Sequence, residues 1–227
     1  MTKPLLVFDM DGVLVDVTES YRATIAQTVE HFTGVRVTRE RIQEYKNRGG
    51  FNDDWELSHH IIREAGVETD FETVKAHFQQ LFRGKRSGLI LKEKWVARPG
   101  VLEKLNERFR FALFTGRPRE EARFTLDRFA PEMIFDPFVG RQDVERQKPH
   151  PDGLLRIVGQ AVSPANPVFY IGDTVDDARA ARAAGVPFIG IAAPSNPFYI
   201  DLVFLFQGEN AYAIVDDINY LEEVFPA

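Results

Sequence analysis

Residues 5–12 read Leu5-Leu6-Val7-Phe8-Asp9-Met10-Asp11-Gly12, and this stretch decides the fold. Four apolar residues in a row are the pattern of a strand buried on both faces, as in a parallel sheet. Two carboxylates follow at once, at the strand's C-terminal end, the edge where open α/β sheets place their ligand sites. Two acids one residue apart beside a buried strand are costly unless something cationic compensates them. Oxygen ligands of this kind suit Mg²⁺, which is often held by one or two carboxylates plus a substrate phosphate. The plainer alternative is a surface turn, since Asp and Gly both favour turns.

Outward from this strand, residues from about 17 to 90 show only helical periods. Tyr21, Ile25, Val29 and Phe32 share one face, and Phe71, Val74, Phe78, Leu81 and Phe82 share another. Trp55, Leu57, Ile61, Ile62 and Ala65 predict a third helix stopped by Gly66, and residues 38–45 a short fourth one. Four helices are too many for one crossover between neighbouring strands. The spacing therefore predicts a helical cap, residues 17–90, inserted after the first strand of a core made of residues 1–16 and 91–227, with hinges near 13–17 and 90–98.

From Arg98-Pro99-Gly100 onward, helices and strands alternate. Strands are expected at 111–114, near 133–135, at 168–171 and at 186–192, with helices at about 99–108, 118–129, after Pro151 and at 176–184. The tail adds a strand at 213–215 and a helix at 218–224. This is the pattern of an α/β fold, a Rossmann-like parallel sheet covered on both faces.

Composition narrows the function classes. The chain has 227 residues, 44% of them hydrophobic and 27% charged, as in an ordinary globular protein. Its net charge of -6 is the wrong sign for nucleic acid or an anionic membrane surface. No apolar run approaches the roughly 20 residues of a membrane span. Met-Thr-Lys-Pro leads directly into the first strand without a signal-peptide pattern, and there is no Cys, so a cytoplasmic protein is expected. The absence of Cys excludes thiolate nucleophiles and Cys-based zinc sites, and the His59-His60 pair lacks the spacing of metal ligands.

Three further polar sites fall at the ends of predicted strands or in a stiff loop. Thr115-Gly116-Arg117 offers a hydroxyl and free N–H groups ahead of a helix, a place that can cradle a phosphate; Thr115 as a simple helix N-cap is the alternative. Lys148 lies between Gln147 and Pro149 in a Pro-stiffened loop, either as a cation for a carboxylate and a phosphate or as a solvated surface lysine. Gly172-Asp173-Thr174-Val175-Asp176-Asp177 ends another strand in carboxylates, either metal ligands or helix-capping acids.

Together these four segments, in this order, resemble the motifs of the haloacid dehalogenase superfamily, a family mostly of phosphatases. The helical insert looks like that family's C1-type α-helical cap, as in phosphoglycolate phosphatase and β-phosphoglucomutase. The resemblance implies a Mg²⁺-dependent phosphatase acting on a small phosphorylated metabolite through an aspartyl-phosphate. It would make Asp9 the nucleophile and Asp11 the acid/base. Thr115 and Gly116 would bind the phosphoryl oxygens, and Lys148 would neutralise charge. Asp9, the Asp11 carbonyl and Asp173 would hold the metal, with Asp177 acting through water or by holding Lys148; the role of Asp176 is less defined. Dehalogenases of the superfamily lack an acid two residues after the nucleophile, so Asp11 argues for phosphoryl chemistry.

Specificity would lie in the cap loop around Lys46, Arg48, Gly49, Gly50 and Asn52, or at Arg117 beside the phosphate loop. Two glycines let a backbone approach a ligand closely, but Asn52 or Asp53 as an N-cap explains the same loop. Arg83-Gly84-Lys85-Arg86 reads as a solvated helix end. A phosphomutase of the β-phosphoglucomutase type, or a non-catalytic phosphate-binding regulatory module, stand as alternatives. The sequence assigns neither an oligomeric state nor a substrate.

Overall fold

The first strand, β1 (Leu5–Phe8), is buried along its whole length because both faces of its sheet are covered. In the computed structural model, which describes residues 3–84, 87–161 and 166–225, contacts divide the chain into two units. One comprises Met1–Val15 and Trp95–Ala227, the other Asp16–Lys94. Two-residue strands, β2 (Val15–Asp16) and β3 (Lys94–Trp95), mark where the chain leaves and re-enters the first unit.

The remaining strands of the first unit are β4 (Arg110–Phe114), β5 (Phe135–Val139), β6 (Val168–Gly172), β7 (Phe188–Ile191) and β8 (Ala213–Val215). With β1 they form a six-stranded parallel sheet in the order β5-β4-β1-β6-β7-β8. The chain builds outward from β1 to one side, then returns to build the other. That makes the C-terminal end of β1 the switch point where such sheets open a crevice. Register aligns the ends: Phe8 lies opposite Leu113 on β4 and Ile171 on β6. Asp9, Thr115 and Asp173 therefore emerge at one edge.

Alternation along β1 serves two cores. Leu5 and Val7 join Phe114, Tyr170, Phe188 and Phe206 on one side. Phe8 meets Phe111 and Phe135 edge-on at 5.1 and 6.1 Å on the other. The helices of this unit are α5 (Val101–Arg108), α6 (Arg119–Phe129), α7 (Asp152–Ala161), α8 (Val175–Ala184), α9 (Tyr199–Gly208) and α10 (Leu221–Val224).

Two features differ from the sequence expectation. The strand expected near 133–135 is β5, five residues at Phe135–Val139. Asp136 and Pro137 mask it, yet Pro is tolerated because β5 is an edge strand that pairs on one side only. Tyr199–Gly208 carries no helical expectation because its apolar residues run on without a period. It forms α9 all the same, burying Leu202 and Phe206 and exposing Ile200 and Phe204.

The helical unit contains α1 (Tyr21–Thr33), α2 (Arg39–Arg48), α3 (Asp54–Glu64) and α4 (Phe71–Arg83). Helices α1, α3 and α4 pack on one another around Ile25, Val29, Leu57, Ile62, Val74 and Phe78. Tyr21 packs on Phe82 at 4.0 Å between ring centres. A 3-10 turn at Leu89–Lys92, with Leu89 and Ile90 buried, packs on α1 and α4. This carries the unit to residue 94, beyond the expected boundary at 90. Helix α2 is capped by Thr38, whose hydroxyl accepts from Arg41 N–H, and runs three residues past Tyr45. Lys85 and Arg86 of the basic cluster lie outside the described residues. No described helix is long and apolar enough to cross a membrane.

Candidate active site

Asp9 follows β1 directly, its N–H donating to the Ile171 carbonyl of β6 at 2.8 Å. The chain then turns sharply, with Leu14 and Val15 N–H both donating to the Met10 carbonyl. Gly12 sits in this turn at φ +75°, and a Cβ there would lie 1.9 Å from Asp173 Oδ2. Glycine thus permits both the left-handed backbone and the close approach of Asp173. Gly12→Ala is expected to destabilise the protein by about 1–3 kcal/mol through strain and displacement of Asp173. Urea unfolding measures this, and an unchanged midpoint would show that the loop relaxes freely.

Lys148 is buried, its side chain 1% exposed, and its ammonium lies 2.9 Å from Asp9 Oδ1 and 2.7 Å from Asp177 Oδ1. It also donates to the Tyr170 hydroxyl at 3.1 Å and sits over the Phe114 ring at 5.2 Å. Asp177 is saturated with donors. Its Oδ1 accepts from Lys148 and, at 2.6 Å, from the Tyr170 hydroxyl. Its Oδ2 accepts from Thr174 N–H at 3.0 Å and from the Thr174 hydroxyl at 2.6 Å. Thr174 and Asp177 are also the capping box that starts α8, so one local motif both opens the helix and fixes the acid.

Electrostatics separates the two carboxylates that share this ammonium. Burial pushes the Asp9 carboxyl up from 3.8 to about 7; the Lys148 charge opposes the rise and the Asp177 and Asp11 charges add to it. Asp177 is buried equally, but the Lys148 charge and the bonds from Lys148, Thr174 and Tyr170 outweigh burial and hold it below the usual carboxylate range. Burial favours a neutral Lys148, yet the charges of Asp177 and Asp9 override it and hold the ammonium above its ordinary value. Burial and the same carboxylates push the Tyr170 hydroxyl well up, so it remains a donor.

Asp9, Asp173 and Asp177 each place a carboxylate oxygen within 4.8 Å of the others. Three acids thus gather beside one buried ammonium, and burial first, with the Asp177 and Asp11 charges adding to it, raises the proton affinity of Asp9. A hard divalent cation with oxygen ligands fits this set. Both oxygens of Asp177 are already engaged, so Asp9 and Asp173 are the better placed to offer ligands. Asp176 is buried, and its Oδ1 lies 3.9 Å from Arg179.

Thr115 is buried at the end of β4, where its N–H donates to Val139 and its hydroxyl accepts from Arg117 N–H at 3.2 Å. The hydroxyl proton stays available to an acceptor at the sheet edge, and Gly116 follows. Arg117 turns inward and pairs with Asp11 through Nε at 2.7 Å.

In the helical unit, Lys46 is buried and serves its own loop. Its ammonium donates to the carbonyls of Phe51 at 2.6 Å and Asn52 at 3.4 Å and pairs with Asp54 at 2.5 Å. Arg48 lies over the Tyr45 ring at 5.1 Å. Gly49 and Gly50 both take positive φ, and Asp53 is the N-cap of α3, accepting from Trp55 and Glu56 N–H. The Asn52 amide nitrogen is buried without a hydrogen-bond partner among the described residues.

Tyr170 and Thr174 escaped the sequence reading. Tyr170 is hidden in an apolar strand, where only its need for a hydroxyl partner marks it. Thr174 had a legible signal, the spacing of Thr174 to Asp177 as a capping box.

The family model described as haloacid dehalogenase-like hydrolase matches residues 6–191. Over 197 residues the chain is 34% identical to a protein of Phytophthora nicotianae named imidazoleglycerol-phosphate dehydratase, a match covering 83% of this chain and 43% of that protein. The chain thus spans less than half of that relative's length. It is 24% identical over 238 residues to a phosphoglycolate phosphatase of Pseudomonas savastanoi, covering 96% of this chain and 78% of that one. The solved structure of a predicted phosphoglycolate phosphatase from Haemophilus somnus shares the fold, with TM-score 0.77 at 19% identity, covering 100% of this chain and 99% of that one.

Proposed function

The chain belongs to the haloacid dehalogenase-like hydrolases, and from that premise we propose that it is a Mg²⁺-dependent phosphatase of small phosphomonoesters working through an aspartyl-phosphate. The observation that supports this most is the buried Asp9–Lys148–Asp177 chain with Asp173 beside it at the sheet's C-terminal edge. Phosphoryl transfer asks mainly for positioning and charge neutralisation, which such a cluster offers.

Asp9 attacks phosphorus, and an Asp9–phosphorus bond forms as the bond to the alkoxy leaving group breaks. The leaving oxygen takes its proton from Asp11 and departs as the alcohol. Asp11, now ionised, takes a proton from water as the water oxygen attacks phosphorus. The Asp9–phosphorus bond breaks, returning the Asp9 carboxylate and inorganic phosphate. Thr115 and Gly116 donate to the phosphoryl oxygens, while Lys148, anchored by Asp177 and Tyr170, stays charged beside Asp9 throughout. Asp9, the Asp11 carbonyl and Asp173 would hold Mg²⁺, which when bound would supply charge neutralisation and favour an ionised Asp9.

Similarity to phosphoglycolate phosphatase favours hydrolysis over the phosphomutase alternative. In the helical unit, Arg48, Gly49, Gly50 and Asn52 are proposed as substrate-specificity residues, with Lys46 bracing their loop. Phosphate release is the test, on a panel of carboxylate-, sugar- and imidazole-bearing phosphomonoesters, the last suggested by the name of the 34% identical relative. Release from at least one member with Mg²⁺, and its loss in EDTA, is expected. Binding without turnover across the panel would overturn the reading in favour of a regulatory module.

A further inference from the structure

Arg117 is the largest fully buried side chain of the described residues, 1% exposed beyond its backbone. A guanidinium at that depth has to be paired. Its Nε donates to Asp11 Oδ1 at 2.7 Å, and Nη2 contacts the same oxygen. On the far side, Nη1 donates to the Thr125 hydroxyl of α6 at 3.0 Å, and that hydroxyl donates to the Glu121 carbonyl at 3.2 Å. The backbone is held as well: Arg117 N–H donates to Thr115 Oγ1 at 3.2 Å, and its carbonyl accepts from Arg141 N–H at 2.9 Å. Arg117 is therefore a strut from α6 to the Asp11 carboxylate. Asp11 itself is 30% exposed at its side chain and would otherwise turn in solvent.

We propose that Arg117 is a positioning residue that holds Asp11 by Oδ1 so that Oδ2 faces the reacting phosphoester as the proton-exchanging oxygen. This rests on the phosphatase reading above. It replaces the sequence expectation that Arg117 contacts substrate, since its buried guanidinium is occupied by Asp11 and Thr125. Displacing a catalytic group by about 1 Å can cost about 10²-fold in rate.

The test uses the full chain with Mg²⁺ and two substrates: the best alkyl phosphomonoester of the panel, whose alcohol needs a proton to leave, and p-nitrophenyl phosphate, whose phenolate does not. In Arg117→Met, kcat on the alkyl ester is expected to fall about 10²-fold with KM changed less than about threefold. With p-nitrophenyl phosphate the same variant should give a burst of one phenolate per protein and then slow turnover, because Asp11 is still needed to activate water. Arg117→Lys, which keeps a cation on Oδ1, should recover about tenfold of the lost kcat. Asp11→Asn is the reference. If it turns over both substrates as the wild type does, the phosphatase reading fails. If it shows the burst while Arg117→Met keeps wild-type kcat on the alkyl ester, the Arg117 proposal falls and the phosphatase reading stands. Equal losses on both substrates with a reduced burst amplitude mark a merely structural arginine and overturn the proposal too. Should Arg117→Met not fold, Arg117→Lys decides alone: a full-amplitude phenolate burst followed by slowed turnover, with kcat on the alkyl ester reduced as well, supports the proposal, and a reduced burst amplitude or wild-type kcat on the alkyl ester overturns it.

Discussion

Replacing Asp9 with Asn is expected to cut phosphomonoester turnover by about 10⁴-fold or more, as deletion of the proposed covalent nucleophile should, while making the metal-free protein more stable. The two effects have one cause. Asn keeps the shape of Asp but cannot form the bond to phosphorus, and it cannot carry the charge whose burial costs so much. Asp9 binds its proton at about 7 in the folded protein and at 3.8 as an ordinary carboxyl. Between these values the folded state holds more protons than the unfolded one, so wild-type stability falls as pH rises through this window. The full fall is up to about 4 kcal/mol at about 1.36 kcal/mol per unit. Asp177 has the opposite sign: its contribution is present above the ordinary carboxyl range and is lost only as pH falls through its lowered value. Urea unfolding in EDTA should therefore show wild type weakening from pH 5 to pH 8 and Asp9→Asn nearly level. At pH 8 the variant should lead by about 1–3 kcal/mol, after the loss of one Lys148 partner. Mg²⁺ should close that gap by stabilising the ionised Asp9. Parallel pH profiles for the two proteins would sink this account.

Lys148→Met should be the most damaging single change to stability. It leaves Asp9 and Asp177, both buried, facing each other without a cation. Removing one partner of a buried ion pair costs about 3–5 kcal/mol, because the remaining charge is neither solvated nor paired. The loss should be larger at pH 8 than at pH 5, where Asp9 can take a proton. Turnover should disappear as well, since the cation beside the proposed nucleophile is gone. Lys148→Arg should not rescue it: a planar fork does not fit a point-charge site bounded by Phe114 and Tyr170. Adding Asp9→Asn to Lys148→Met should restore about 1–3 kcal/mol by removing one of the stranded charges. Strictly additive losses would show that the pair is not coupled.

The strand ends were legible because their chemistry conflicts with their setting. Asp9 and Asp173 each follow an apolar run that only a buried parallel strand explains, and acids placed there need a cation. Lys148 was legible only in company, since a lone lysine in a loop is ordinarily solvated. Tyr170 was not legible, because within an apolar strand its ring alone explains its place. Helix α9 was hidden for a related reason: Ile200 and Phe204 are as apolar as the buried Leu202 and Phe206, so no period emerges.

By itself, the sequence determined the parallel α/β core, the helical insert, and the set of acids, threonine and lysine at its strand ends, because hydrophobic period and turn chemistry are local properties of the chain. Only the tertiary structure decided how those groups divide their work. Asp9 and Asp177 are the same residue type at similar depth, yet one is held near 7 and the other below its ordinary value, because four donor groups converge on Asp177 from Lys148, Tyr170 and Thr174. Arg117, which in sequence stands beside the phosphate loop as a candidate substrate contact, is turned inward onto Asp11. Charge placement depends on which groups meet across the sheet edge, and residues 106 or more apart meet only when the strands align.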